Sequence, residues 1–520
     1  MTTQIDASAV EQWIRIVGLE HVVTDARELR AAETGTYATG HRIPAIVRPA
    51  DRAQVQECMR AAQRSGVSVY PISSGRNWGY GSRMPASDGC VLLDLGRMNR
   101  IVDFSEELAY VTVEPGVTQA QLYSFLQERR SGLWMDATGA SPDCSLIGNT
   151  WSQRLRPGGG ASEWERNRHG VLALALGAGR SLIPVGVGPA LDGLFSQSNF
   201  GIVTRMTIWL MPAPGYFQTY YFRAESSEGL IGLIDALRPL RLNGTIRSAS
   251  HIANDYKVLS ALQQYPWRTS EGRTPLSGPL MEKFRSELTI GVWNGSGALY
   301  GTKAQVREAR RLLRQALAGK ASRIQFRDDR KLRLATMLGG AYRFSRGWNL
   351  ARMLEVFRPV YGLMKGIPTE HPLASTYWRK PNPPPPRMDP DRDGCGLLWC
   401  SPVAPNDGSH AQRLTSLATE LLLRHGFEPL ISITVLTERT LSCVISISYD
   451  RDVAGEDERA AACYRDLVDS LARLGYYLYR LSIGFMAATM GQPGPYMDLL
   501  RKLKETLDPA GVLAPGRNLC

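Results

Sequence analysis

The stretch Pro71-Ile-Ser-Ser-Gly75-Arg-Asn-Trp-Gly79-Tyr80-Gly81 decides the fold of this chain. It follows Val67–Ile72, an apolar segment typical of a β-strand. Residues 73–81 contain three glycines and two serines, so the backbone can turn until several N–H groups converge on one point, which suits a phosphate or pyrophosphate. The glycine spacing is neither that of a Rossmann fingerprint nor that of a Walker loop. A glycine-rich surface turn is the alternative interpretation.

The pattern around this stretch predicts a mixed α+β chain. An amphipathic helix over Arg52–Ser65 lies between two strands and gives a β-α-β unit. The predicted strands of this region are Ile43–Val47, Val67–Ile72, Val91–Leu95, Leu108–Val113, Gly170–Leu176 and Gly201–Leu210. After residue 214 longer amphipathic helices such as Ala304–Ala318 separate sparse strands, and a last helix is predicted over Tyr496–Glu505.

The positive charge is concentrated in one segment. The 520 residues include 61 Lys and Arg against 49 Asp and Glu, a net charge of +12. Residues 303–333 hold 11 of the basic residues and three acidic ones, so this segment carries +8 and the other 489 residues carry +4. This charge distribution argues against a nucleic-acid-binding surface that covers the whole chain. It is consistent with a local anion-binding patch.

Other classes of protein are disfavoured by the pattern of apolar residues and cysteines. No apolar run approaches the roughly 18–20 residues of a membrane span, and the first residues lack the features of a secretory signal. The eight cysteines are scattered and only seven histidines accompany them. We therefore expect a cytoplasmic protein with reduced cysteines, no membrane contact and no metal site.

Several short motifs in chain order resemble the vanillyl-alcohol oxidase / p-cresol methylhydroxylase family of FAD-dependent oxidoreductases over nearly the whole chain. The motifs are Ile46-Val-Arg-Pro49, Pro71–Gly81, Val113-Glu-Pro-Gly116, Thr138-Gly-Ala-Ser-Pro142, Ser145-Leu-Ile-Gly-Asn149, the segment from Asp192 to Thr204, Trp209-Leu-Met-Pro212, Gly475-Tyr-Tyr-Leu-Tyr-Arg480 and Asp508–Arg517. Each motif is short, but their common order favours a family relationship.

The resemblance implies an α+β fold with a two-part FAD-binding domain, residues 1–214 and 475–520, and an α+β cap domain, residues 215–474. Backbone N–H groups of two loops then hold the FAD pyrophosphate. The implied cofactor contacts are Ser74, Gly75, Arg76, Asn77, Gly79, Gly139, Ser145, Gly148, Asn149, Ile202 and Val203. Arg517 matches the family's arginine near the flavin ring, and a surface arginine is the alternative.

The same resemblance implies a phenol site. Tyr80, Tyr479 and Arg480 stand where the family binds a phenol oxygen. Two phenolic O–H donors and a guanidinium lower the pKa of a bound phenol. A para-placed phenolate then drives hydride from the side chain to the flavin and leaves a quinone methide. An ordinary surface hydrogen bond is the alternative for a single Tyr-Arg pair.

The sequence departs from the family at its catalytic base. The oxidase branch carries an aspartate next to the flavin, but the corresponding region, Gly158–Asn167, contains none, and Glu163 and Glu165 are weak substitutes. Ser446 stands where the flavocytochrome branch has an acidic residue, and Ser442-Cys443 replaces the histidine pair that precedes it. We expect a quinone methide formed here to rearrange or desaturate, because no base activates water.

Tyr377 resembles the residue to which the p-cresol methylhydroxylase branch attaches FAD, so it is a candidate covalent anchor, and a packing role beside Trp378 is the alternative.

The predicted function is hydride transfer from the side chain of a para-substituted phenol or related aromatic to FAD. The alternatives are a natural-product tailoring flavoenzyme with a larger substrate and a degenerate FAD-binding partner subunit. The family likeness further implies a homodimer with oxygen or a cytochrome as electron acceptor.

Overall fold

The first part of the chain builds three small sheets. The structure, a computed structural model, describes residues 7–148, 192–341, 358–486 and 494–517. Here the strands are β1 (Val22–Val23), β2 (Ile46–Val47), β3 (Val69–Ile72), β4 (Val91–Asp94), β5 (Ile101–Ser105), β6 (Tyr110–Val113), β7 (Leu133–Trp134), β8 (Met206–Trp209) and β9 (Met211–Pro212). They form the sheets β1-β2-β4-β3, β5-β6-β8 and β7-β9. Strand β4 is parallel to both β2 and β3, so the predicted β-α-β unit is present, with β4 between its two strands.

The helices of this part are α1 (Ala7–Val17), α2 (Ala26–Ala32), α3 (Arg52–Ser65) and α4 (Gln119–Glu128). Helix α3 has the predicted bounds. It begins after Asp51, whose side chain accepts a hydrogen bond from Gln54 N, and it ends at Gly66, which has a φ of 63°. Its buried residues, among them Val55 and Cys58, pack against the parallel sheet.

The strands are present but shorter than predicted, and local hydrogen bonds explain why. Val67 N donates to Ala62 O at the end of α3, so β3 starts only at Val69. Ile43 N donates to the carboxylate of Glu33 and is therefore not available for the sheet. The predicted strand Gly170–Leu176 lies outside the described residues.

The middle of the chain forms one eight-stranded antiparallel sheet. Its strands are β10 (Tyr216–Ala224), β11 (Ser250–Asn254), β12 (Trp293–Gly301), β13 (Arg323–Arg327), β14 (Cys395–Cys400), β15 (Val403–Pro405), β16 (Leu430–Val435) and β17 (Thr440–Asp450). The order is β13-β10-β12-β11-β16-β17-β14, and β15 also pairs with β17. The helices are α5 (Gly229–Leu242), α6 (Asp255–Leu262), α7 (Gly278–Leu288), α8 (Lys303–Leu317), α9 (Asp329–Ala341), α10 (Gly408–Arg424) and α11 (Glu456–Arg473).

The two faces of this sheet differ in chemistry. Phe222, Ile252 and Ile433 belong to the large apolar core that also contains residues of α5, α8, α10 and α11. Side chains alternate between the faces along a strand, so one face is committed to the core.

Among the helices within the described residues, none combines the length and hydrophobicity that a membrane-spanning helix needs.

The C-terminal segment returns to the first part of the chain. After helix α12 (Pro495–Leu507), Val512 O accepts a hydrogen bond from Val69 N, and Ala514 N donates to Val69 O, so this segment lies beside β3. The α+β class is confirmed. The domain bounds at residues 214 and 475 stay a prediction.

Lys504 holds the C-terminal segment in this position. Its buried Nζ donates to Asn199 O, Asp508 Oδ2 and Leu513 O at 2.7–2.8 Å. We expect Lys504→Met to cost about 3 kcal/mol, because it removes three hydrogen bonds and leaves the buried Asp508 carboxylate without its cation. The midpoint of thermal unfolding should fall by several degrees. Lys502→Met, on the exposed side of the same helix, is the control. Equal midpoints for the two variants would contradict this role of Lys504.

Candidate functional site

The glycine-rich stretch forms a loop, residues 73–81, directly after β3, and we call it the first loop. Gly79 has a φ of 77°, and a Cβ built on it would lie 3.0 Å from the ring atoms of Trp399. A side chain at this position would therefore be strained and would press on the indole. Glycine lets the loop approach the sheet of the middle segment this closely.

A second loop, residues 138–148, is fastened to the first loop. Ser145 N donates to Ser74 Oγ at 3.0 Å, and Ser145 Oγ bonds Pro115 O and accepts from Gly148 N. A Cβ on Gly148 would lie 2.6 Å from Ser73 Oγ, so only glycine fits between the loops. The structure thus brings together the two loops predicted to hold the FAD pyrophosphate.

The first loop offers backbone hydrogen-bond donors that the described part of the chain does not use. Among the described residues, none accepts a hydrogen bond from the backbone N–H groups of residues 74–77. A turn that presents neighbouring N–H groups is an anion-binding arrangement that needs no lysine. The residues present therefore fit the diphosphate of FAD.

The remaining predicted cofactor contacts lie around these loops. Arg76 stacks on Trp78 and pairs with Asp143 and Asp389 at 3.6 and 3.8 Å. A Cβ on Gly139 would meet Pro372 at 2.7 Å. Ile202 packs against the core of the parallel sheet and Val203 against that of β5, β6 and β8. Asn149 lies outside the described residues.

Arg517 lies at the end of the C-terminal segment. Its guanidinium carbon is 5.3 Å from the centre of the Tyr70 ring, and its buried Nε has no hydrogen-bond partner within the described part of the chain. A buried guanidinium nitrogen without an acceptor is costly unless an anion or other acceptor meets it. This arrangement fits the predicted place beside the flavin ring.

Tyr80, Tyr479 and Arg480 come together although about 400 residues separate them. The Arg480 guanidinium lies 4.2 Å from the centre of the Tyr80 ring, and its Nη2 donates to Asn77 Oδ1 at 2.5 Å. Asn77, predicted as a cofactor contact, therefore also orients the arginine of the phenol site. Arg480 is buried, and Gln197 Nε2 holds the backbone carbonyl of Tyr479 at 3.0 Å.

Electrostatics keep Tyr80 in its neutral form. Burial raises the pKa of the Tyr80 hydroxyl well above its usual range, and the neighbouring Tyr479 raises it further, while the Arg480 charge opposes this. A tyrosine that keeps its proton remains a hydrogen-bond donor. The site can therefore offer phenolic O–H donors and a cation to one oxygen of a ligand.

The sequence did not reveal two residues of this site. Trp399 packs edge-on against Tyr80, with ring centres 5.4 Å apart, and the buried Ser401 places its Oγ 2.7 Å from the Tyr80 hydroxyl oxygen. Trp399 lies in strand β14 and Ser401 follows it, and no sequence motif links either residue to Tyr80. Only the pairing register of β14 with β17 shows that Trp399 faces this site.

Tyr377, the candidate flavin anchor, ends a short 3-10 helix, His371–Tyr377. Its buried hydroxyl donates to Asp393 Oδ2 at 2.6 Å. Burial and this carboxylate raise the pKa of the Tyr377 hydroxyl. Pro372 in the same helix touches the second loop at Gly139, so the segment lies against a predicted FAD contact.

A row of polar side chains crosses the face of the large sheet opposite the apolar core. Strand register aligns the row, which consists of Ser442, Thr434, His251, Ser296, Tyr221 and Gln325. Trp399 and its partner Ser446 lie on this same face. His251 and Ser296 are half-buried. The wall of the phenol site therefore continues as a polar surface, which we call the polar row.

Candidates for the missing base occupy different places. Glu163 and Glu165 lie outside the described residues. Ser446 is buried, and its Oγ has no partner among the residues that the structure describes. Asp391 was not predicted. It accepts a hydrogen bond from Ser82, and burial raises the pKa of its carboxyl to about 7.

In the described segments, no group of three His, Cys, Asp or Glu side chains could hold a metal ion.

Comparison with known proteins agrees with this geometry. Residues 43–172 match the family described as FAD binding domain. The chain is 42% identical to 1'-carboxy-chondrochloren decarboxylase of Chondromyces crocatus, over 99% of this chain and 98% of that protein. It is 29% identical to the flavoprotein subunit of the hydroxylating 4-cresol dehydrogenase of Pseudomonas putida, over 98% and 95% of the two chains.

A crystal structure of p-cresol methylhydroxylase with substrate bound superimposes with a TM-score of 0.85 at 27% identity, covering 98% of this chain and 96% of that chain. The predicted fold class and the FAD cofactor are thereby confirmed. This chain belongs to the vanillyl-alcohol oxidase / p-cresol methylhydroxylase family of FAD-dependent oxidoreductases.

Proposed function

We propose that this enzyme removes hydride from the benzylic carbon of a para-substituted phenol and that the resulting quinone methide loses a neighbouring carboxylate as CO2. The observation that carries the first step is the convergence of Tyr80, Tyr479 and Arg480. The second step is supported by the likeness to a decarboxylase over the whole chain.

The residues of the phenol site hold the substrate as a phenolate. Two phenolic O–H donors and the Arg480 charge stabilise the anion more than the neutral phenol, so the bound phenol releases its proton to solvent. Bound FAD supplies the two-electron acceptor for the hydride. Ser74 to Asn77 and Ser145 to Gly148 would hold its diphosphate, and Arg517 would supply positive charge beside the ring.

Decarboxylation needs no added base. When a carboxylate sits on the carbon next to the benzylic carbon, the electron pair of its C–C bond forms an alkene as CO2 leaves. The ring regains its aromaticity, and the product is a phenolate. Hydroxylation instead requires an activated water molecule. Ser446, at the place of an acidic residue in the family, supplies no such base.

The alternative of a larger natural-product substrate is supported by the polar row. Several neutral donors and acceptors lie on the face of the sheet that also carries Trp399. A simple alkylphenol has no groups for these residues, whereas an amide or ester attached to the carboxylate-bearing carbon has. The substrate in this proposal is therefore a hydroxyphenyl acid with a polar extension.

The electron acceptor and the assembly also follow from the family likeness. We assign the electrons to oxygen or to a redox protein such as a cytochrome. Strand β13 forms one edge of the large sheet, and Arg310 and Arg314 of helix α8 stack on its Phe326, so part of the +8 segment lies at this edge. An acidic redox partner suits this surface. A homodimer and a cytoplasmic location stay predictions.

Product analysis tests the proposed reaction. We expect 3-(4-hydroxyphenyl)propanoate to give 4-vinylphenol and CO2 in equal amounts and to bleach the flavin under anaerobic conditions. The meta isomer, 3-(3-hydroxyphenyl)propanoate, is the control, because its phenolate cannot conjugate with the benzylic carbon. An alcohol that carries oxygen from labelled water would instead establish a hydroxylase. Absence of bleaching with any para-substituted phenol would refute the phenol-oxidising function.

Arg480 tests the phenol site. We expect Arg480→Ala to lower kcat/KM for the phenol by about 10- to 100-fold, since a hydrogen bond to a charged group contributes about 1.5–3 kcal/mol. The flavin content, read from the visible spectrum, should stay at the wild-type level. The exposed Arg424→Ala is the control. A parallel loss of flavin and activity would show that Arg480 is structural.

Tyr377 tests covalent attachment. If FAD is linked to this residue, acid-precipitated wild-type protein stays yellow, and Tyr377→Phe releases the colour into the supernatant. Tyr449→Phe is the matched control, because Tyr449 is also buried and donates to an aspartate, Asp457, at 2.7 Å. A yellow precipitate from Tyr377→Phe would exclude this anchor.

A further inference from the structure

Ser401 lies where three distant segments of the chain meet. It follows β14 and is completely buried, with 0% of its surface exposed. Its carbonyl oxygen accepts a hydrogen bond from Tyr479 N at 3.2 Å, and its Oγ lies 2.7 Å from the Tyr80 hydroxyl oxygen. The neighbouring Pro402 pairs with Leu478. One residue next to the large sheet therefore contacts the backbone of one phenolic donor and the side chain of the other.

The direction of the hydrogen bond between Ser401 and Tyr80 decides what Tyr80 can do. Each hydroxyl has one hydrogen to donate. If Tyr80 donated to Ser401, the Ser401 hydrogen would find no other acceptor within the described residues. If Ser401 donates to Tyr80, the Tyr80 hydrogen stays available for Tyr479 or for a ligand, and both hydrogens are used.

We infer that Ser401 is a positioning residue that donates its hydrogen to Tyr80 and so aims the Tyr80 O–H at the phenol oxygen of the substrate. This inference rests on the proposed phenol site. A donor that itself accepts a hydrogen bond becomes more polar, because neighbouring bonds in a chain strengthen one another. Ser401 therefore favours binding of the substrate as a phenolate, although it does not touch the reacting carbon.

Two observations support this role. Tyr80 keeps its proton, because burial raises the pKa of its hydroxyl well above the usual range, so it acts as a donor and not as a phenolate. The backbone of Ser401 is also fixed beside this site, because its carbonyl oxygen accepts a hydrogen bond from Tyr479 N. The Ser401 hydroxyl, 2.7 Å from the Tyr80 hydroxyl oxygen, is thus held where it can donate to it.

The experiment measures the ionisation of a bound phenol. The probe is 4-hydroxybenzaldehyde, whose phenolate absorbs at a longer wavelength than its neutral form, added to the flavin-loaded protein and titrated with pH. We expect wild-type protein to lower the pKa of the bound probe below its value in solution. Ser401→Ala should move the pKa of the bound probe upward by about one unit, as expected for the loss of one hydrogen bond.

The control variant removes the same kind of bond elsewhere. Ser250 and Tyr220 form a buried hydrogen bond of 2.5 Å within the large sheet, so Ser250→Ala should leave the pKa of the bound probe unchanged. Ser401→Cys, with a weaker donor of similar size, should give an intermediate shift even if the alanine variant folds poorly.

The outcomes separate the inference from the proposed function. If wild-type protein does not bind the probe as phenolate at a pH below the solution pKa of the probe, the phenol site itself is wrong. If wild-type does so but both Ser401 variants titrate like it, or Ser250→Ala shifts as far as Ser401→Ala, the phenol site stands and the role of Ser401 is overturned.

Discussion

The constraint on which the candidate site depends is that one loop, residues 73–81, carries both sets of predicted contacts. Its first half contains the predicted contacts to the FAD diphosphate, and its second half carries Tyr80, while Asn77 contacts Arg480. Any movement of this loop would displace both sets together. The bond from Ser145 to Ser74 and the close approach of Gly79 to Trp399 fix it from two sides. In the proposed function, this loop would therefore set the relative position of the two reactants, which is how an enzyme lowers the entropic part of a barrier.

Sequence reasoning succeeded where the chemistry is local. The glycine pattern of the first loop and the capped helix α3 are each readable within a few residues, whereas Tyr479 and Arg480 were predicted only through the family resemblance. The ends of the strands were misjudged because their backbone N–H groups bond elsewhere. Val67 N donates to Ala62 O at the end of helix α3, and Ile43 N donates to the carboxylate of Glu33. The strand propensity of a residue does not indicate whether its backbone N–H group bonds to an acceptor outside the sheet.

The residues that sequence reasoning missed depend on long-range register. Trp399 lies in an ordinary apolar strand and Ser401 follows it, and nothing near them signals a contact with Tyr80, which lies more than 300 residues earlier. The contact exists because β14 pairs with β17 in one register, since a slip by one residue would turn Trp399 to the other face of the sheet. The hydrogen bond between Tyr377 and Asp393 likewise joins two residues that are 16 positions apart in the sequence.

Strand β17 carries part of the polar face of the sheet, which bears on the proposed substrate. Along it, Ser442, Ser446 and Ser448 alternate with Cys443, Ile445 and Ile447, and the second set lies in the apolar core. The hydroxyls of Ser446 and Ser448 are buried without a partner among the described residues. A buried hydroxyl without a hydrogen bond costs free energy, and valine in their places would be the more stable choice for a sheet buried on both faces. These hydroxyls fit the proposed substrate with a polar extension, because its own donors and acceptors would meet them when it binds.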